Sequence, residues 1–151
     1  MLRRYLSRAA ALTAVAALAS CGDTEPAATT PPLPATWANV QPLLQRACAF
    51  SSCHGGTGAR AAGLTYGMDA ANARAAMVNV PSTQVPRLRM VLPGDPSMSW
   101  LQHKIDGTMS SVSECAAAGN RCGVRMPQGS DPLTVAERDL IRRWIAAGAP
   151  G

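Results

Sequence analysis

The sequence predicts an all-α fold, a small helical globule with long loops, and three observations carry that prediction. Near the C-terminus, Thr134-Val-Ala-Glu137 has the form of a capping box, and Leu140, Ile141, Trp144 and Ile145 follow at helical spacing. Near the start, Thr36 precedes Trp37, Val40, Leu44 and Ala47, which share one face of a second helix. Between them, many of the chain's 13 Gly and 12 Pro cut the sequence into short elements joined by turns.

The first 20 residues read as an address. Arg3, Arg4 and Arg8 precede an uncharged apolar run from Ala9 to Leu18, and Leu18-Ala19-Ser20-Cys21 resembles a lipobox, whose small residues suit the peptidase and whose Cys21 thiol would receive diacylglycerol. An uncleaved membrane anchor is the alternative, but the run is far shorter than the roughly 20 residues a spanning helix needs. Three arginines and no acidic residue leave with this segment, so the formal net charge falls from +5 to +2. The basic balance of the whole chain therefore argues for no nucleic-acid partner. Residues 21–34, rich in Pro, Thr and Ala, read as a tether, and the folded domain is expected over residues 35–149.

Thr36 is placed to cap a helix running from Trp37 to about Ala49, in which Pro42 removes one hydrogen bond. Gly55 to Gly58 interrupts the chain, and Gly63 to Gly67 reads as an extended turn. Asp69 is placed to cap a helix from Ala70 to Val78, and the alternation from Arg87 to Leu92 reads as extended. Pro93-Gly94-Asp95-Pro96 is a turn, after which Asp95 or Ser97 caps a helix to about Ile105 that carries Trp100, Leu101 and Ile105 inward. In the last helix Trp144 is expected to pack against the Trp37 helix. Arg138, Arg142 and Arg143 face water or the C-terminal dipole, and Gly148 is the stop.

Five cysteines become four once Cys21 carries lipid, and these form two local pairs. Cys115 and Cys122 flank the turn signal Gly119-Asn120 and are expected to close a small disulfide ring in an oxidising compartment. Its use would be to fix the approach to Met126. Cys48 and Cys53, with His54 directly after, admit three chemistries. The two thiols are placed to bond the vinyl groups of a c-type haem with His54 ligating the iron, as in a Cys-x-x-Cys-His attachment sequence. They could instead form a second disulfide, or bind zinc if His103 joined them. The spacing here is two residues longer than the usual attachment sequence, so Ala49-Phe50-Ser51-Ser52 must bulge. The chain is short of large core side chains, with three Trp, two Tyr and one Phe, and a buried haem would supply apolar volume.

The order of short motifs resembles the planctomycete-type cytochrome c domain, a relative of the class I c-type cytochromes. The motifs are Cys53-His54-Gly55, Ala62-Gly63-Leu64, Pro93-Gly94-Asp95-Pro96 with Ser99-x-Leu101-x-x-Lys104, Met126-Pro127, and Leu133-Thr134 leading to Trp144-Ile145-Ala-Ala-Gly148-Ala149. The resemblance covers about Trp37 to Ala149. It implies a cytochrome c-like globule whose N- and C-terminal helices cross, with a methionine loop closing over one covalently bound haem c. Cys48 and Cys53 would hold the porphyrin, His54 would be the proximal iron ligand and Met126 the distal one. His103 is the alternative distal ligand. Met68, Met77, Met90, Met98 and Met109 read as core or loop residues. Trp100, Arg87, Arg89 and Lys104 are candidate partners for the haem propionates, although each also has an ordinary structural or solvated role.

The expected function is single-electron transfer by a lipid-anchored monohaem cytochrome facing the periplasm. Its partners would be redox proteins of the cell envelope and the membrane itself, with no small-molecule substrate. No arrangement of carboxylates, nucleophiles or phosphate-binding glycines suggests an enzyme. Two other readings remain: a haem-free, disulfide-stapled structural or binding lipoprotein, and a haem-based redox or gas-sensing accessory module with an open distal site.

Overall fold

The first helix, α1 (Trp37–Cys48), starts behind Thr36 as expected, but through the backbone: the Thr36 carbonyl accepts from the N–H groups of Asn39 and Val40, and its side chain makes no cap. Pro42 lies inside the helix without ending it. Val40, Leu43, Leu44, Ala47 and Cys48 are buried. The computed structural model describes residues 31–50, 52–55, 70–117 and 122–151. The expected address segment with Cys21, most of the tether, Met68, Asp69 and the motifs between Gly56 and Gly67 lie outside the described residues, as does Gly119-Asn120.

Among the described residues the fold is all-α, with four further helices and no strand: α2 (Ala70–Ala75), α3 (Trp100–Asp106), α4 (Ser113–Ala117) and α5 (Val135–Ala146). Residues 31–151 form one compact unit. α2 ends three residues before the expected Val78. The chain there turns to pair with a later segment: Asn79 adopts a left-handed φ of 62° and its N–H donates to the Val91 carbonyl, while the Val91 N–H donates to Met77. The N–H groups of Ala76, Met77 and Val78 still donate back to Asn72 and Arg74, and the chain leaves the helical path at Asn79. The segment from Arg87 to Leu92 is extended only as far as isolated bridges, Arg89 pairing with Pro81 and Ser99 and Val91 with Val78.

Asp95 caps as expected, but the helix expected behind it is divided into two pieces. Its carboxylate accepts from the N–H groups of Ser97 and Met98 at 2.9 and 3.1 Å, closing a 3-10 turn over Pro96–Met98. Ser99, fully buried, then breaks the path: its hydroxyl donates to the Asp95 carbonyl and accepts from the Leu92 N–H. α3 begins only at Trp100 and ends at Gly107, whose φ of 76° gives the left-handed stop. A second 3-10 turn, Met109–Ser111, and α4 have no counterpart among the elements expected from sequence.

α5 carries the complete capping box: the Thr134 hydroxyl accepts from the Glu137 N–H, and the Glu137 carboxylate accepts from the Thr134 N–H. Its stripe of Leu140, Ile141, Trp144 and Ile145 is buried. Trp144 meets Trp37 with ring centroids 5.3 Å apart, so the first and last helices pack through the expected pair. The arginines of α5 differ from the expectation. Arg138 and Arg142 both reach Asp106 at the end of α3, at 3.2 and 2.9 Å, and Arg143 bonds Asp139 and the Leu33 carbonyl. They tie α5 to its neighbours as well as meeting water. Among the described residues no helix is long and apolar enough to cross a membrane.

Candidate cofactor site

The end of α1 and the turn behind it place three of the expected site residues together. Cys48 is the last residue of α1. The chain then loops out and returns, because the Phe50 carbonyl accepts from the N–H groups of both Cys53 and Gly55, at 2.9 Å each. The His54 N–H donates to the Cys48 carbonyl at 3.2 Å, which closes the loop on itself. Phe50, in the stretch between the two cysteines, is 53% exposed. Gly55 is required here: a Cβ would sit 1.9 Å from the Ala49 carbonyl oxygen.

Cys48, Cys53, His54 and Met126 all line one largely apolar, open cleft. Trp100, Leu101 and Ile105 of α3 form one wall, and Ala47 of α1 another. Met90, expected as core filler, is buried and also lines the cleft, a second thioether beside Met126. The alternating segment that carries Met90 was legible, but which neighbours it would face was not. Thr83, Gln84 and Gln128 supply a polar portion of the lining.

Cys115 and Cys122 form the expected disulfide, whereas Cys48 and Cys53 are not bonded to one another. Burial pushes the Cys48 thiol up to about 11, with the charge of neighbouring Cys53 adding to the effect. Cys48 and His54 are each only 8% exposed. The Met126-Pro127 peptide is cis. The Met126 N–H donates to the Lys104 carbonyl at 2.9 Å, so α3 holds the backbone of the methionine loop.

The other candidates separate. His103 does not line this cleft; its ring nitrogens bond the Thr108 hydroxyl at 3.0 Å and the Ser97 carbonyl at 2.9 Å, beside a different groove. It is therefore placed neither as the distal ligand nor as the added zinc ligand. Arg87 pairs with Glu114 and Arg89 bonds the Asn79 carbonyl, and neither lines the cleft. Trp100 and Lys104 do line it. The Trp100 indole N–H donates to the Gln84 side chain at 3.1 Å. Lys104 is 7% exposed, and burial lowers the pKa of its ammonium group.

The donor set fits a c-type haem: two thiols that are not tied to each other, an adjacent imidazole and a thioether arriving from a distant segment, all on apolar walls. No protein-family model, no curated protein and no solved structure matches the chain.

Proposed function

We propose that this protein is a monohaem c-type cytochrome that passes single electrons in the bacterial cell envelope, held to the membrane by lipid on Cys21. One observation carries the reading: Met126, 72 residues beyond His54 in the chain, lines the same cleft as Cys48, Cys53 and His54. Chance placement of a methionine in the same cleft as a Cys-Cys-His cluster, otherwise lined mainly by apolar side chains, is the alternative it argues against.

A c-type haem, when bound, supplies one-electron chemistry at its iron. The chain supplies the rest. Cys48 and Cys53 would hold the group, each thiol adding its S–H across a vinyl group to give a thioether. His54 and Met126 would hold its iron, through an imidazole nitrogen and a thioether sulfur. The backbone of both donors is held, the His54 N–H by the Cys48 carbonyl and the Met126 N–H by the Lys104 carbonyl, which would keep reorganisation small. Leu101, Ile105 and Met90 keep water from the walls and lower the local dielectric constant, which favours the less charged state of the centre.

The test is a pyridine haemochrome spectrum of protein matured with a c-type attachment system and extracted with acidic acetone. A haem band that survives extraction, at the position of two saturated vinyl groups, is the expected result. A colourless protein with no free thiols would mean a second disulfide, and the redox function would be abandoned in favour of a structural lipoprotein. A stably attached haem that binds carbon monoxide readily at neutral pH would point instead to a sensing module.

A further inference from the structure

The segment from Cys122 to Pro132 carries Met126 and has no helix of its own. Its position must come from elsewhere in the fold. Among the described residues, the hydrogen bonds that tie this segment to the rest of the chain all go to Lys104. The ammonium group donates to the Cys122 carbonyl at 2.8 Å and to the Val124 carbonyl at 2.6 Å, and the Lys104 carbonyl accepts from the Met126 N–H at 2.9 Å. Three alternate residues of the loop, 122, 124 and 126, are therefore registered against one residue of α3.

A lysine is a costly choice for this position. It is almost fully buried, and no carboxylate among the described residues pairs with it. What offsets the loss of water is the two carbonyls and the face of Trp100, whose ring centroid lies 5.7 Å from the ammonium nitrogen. The same turn of α3 presents Trp100, Leu101 and Ile105 to the cleft. The helix that builds the wall of the site thus also sets where the methionine arrives. The Cys115–Cys122 disulfide fixes the loop's first residue, but it sits four residues before Met126 and makes no bond beyond Cys122.

We propose that Lys104 is the positioning residue of the distal ligand, clamping the Cys122–Met126 loop so that the Met126 sulfur faces the cleft. The proposal rests on the haem reading above for its functional meaning, but not for the clamp itself. Removing the ammonium while keeping the stem, as in Lys104→Met, frees the Cys122 and Val124 carbonyls and lets the loop swing away. The haem would remain attached, because Cys48, Cys53 and His54 lie on other segments.

Two measurements test this. The first is amide hydrogen exchange on the haem-free protein, which depends on no cofactor. The Met126 N–H should be protected in the wild type and exchange roughly tenfold or more faster in Lys104→Met, since hydrogen bonds to charged groups are the stronger ones. An unprotected Met126 N–H in the wild type, or equal protection in the variant, overturns the clamp. The second uses haem-loaded protein, with loading checked by the haemochrome band. The far-red absorption of thioether-ligated ferric haem should be present in the wild type. It should be lost in Lys104→Met, with carbon monoxide binding gained and haemochrome content unchanged. A variant that keeps the far-red band and still excludes carbon monoxide overturns the positioning role. A wild type with no haemochrome band sinks the haem reading instead, while the exchange result still decides the clamp. If Lys104→Met fails to fold, the wild-type Met126 exchange rate remains the deciding measurement.

Discussion

Alkaline pH is expected to weaken the haem-free protein through Cys48, and haem attachment should abolish the effect. Burial, helped by the neighbouring Cys53 charge, raises this thiol from 9.0 to about 11. The folded state therefore holds the proton more tightly than the unfolded chain. Its contribution is fully present below pH 9, declines between pH 9 and 11 as the unfolded chain ionises first, and is gone above 11. A shift of about two units at 1.36 kcal/mol per unit amounts to about 2–3 kcal/mol. Lys104 acts in the opposite direction. Its lowered pKa means that the folded state gives up its proton first, so its contribution rises with pH in the region below 10.5. The raw pH curve is thus a difference of two trends, and a Cys48→Ala comparison isolates one of them. The assay is urea unfolding of anaerobic, haem-free protein from pH 8 to 11.5, followed by tryptophan fluorescence. Between these limits the wild type should lose about 2–3 kcal/mol relative to Cys48→Ala. If haem is attached as proposed, Cys48 would be a thioether with no proton to lose, and this alkaline decline should be absent. Parallel curves for the haem-free wild type and Cys48→Ala would refute the burial argument.

Trp144→Ala removes a fully buried ring that packs on Trp37 and whose indole N–H donates to the Pro150 carbonyl; a loss of about 3–5 kcal/mol is expected in denaturant unfolding. Asp106→Ala leaves Arg138, Arg142 and the Gln102 amide without their shared acceptor between α3 and α5. It should cost about 1–3 kcal/mol and more than Arg142→Ala, a comparison that unfolding midpoints will decide. Thr134→Ala breaks the capping box and should cost about 1 kcal/mol, with helix loss confined to the first turn of α5 in amide exchange.

Features whose causes lie within one or two turns of chain were legible in the sequence. The Thr134–Glu137 capping box and the α5 stripe were, and so were the Asp95 cap and the Cys115–Cys122 ring. α4 spans only five residues, too few for a hydrophobic period to register, and was not legible. α2 is shorter than its sequence pattern: the Met77 N–H slips to Arg74, three residues back, and the Met77 carbonyl and Asn79 N–H turn to Val91, more than ten residues away. His103, Arg87 and Arg89 were candidates by residue type alone, and their actual partners are set by which loops fold beside them.

By itself, the sequence determined the list of parts: two cysteines and a histidine at the end of a helix, a methionine before a proline, and helices able to pair through Trp37 and Trp144. Tertiary structure decided which parts meet. It brought Met126 to the cleft of Cys48, Cys53 and His54, turned Met90 into that cleft, and sent His103 to another groove. It also set Lys104, by sequence a candidate partner for the haem propionates, against the Cys122 and Val124 carbonyls. The physical reason is range. Caps and stripes are written by neighbours three and four residues apart, whereas a buried ammonium finds its carbonyls, 18 and 20 residues along the chain, only after α3 and the methionine loop have packed.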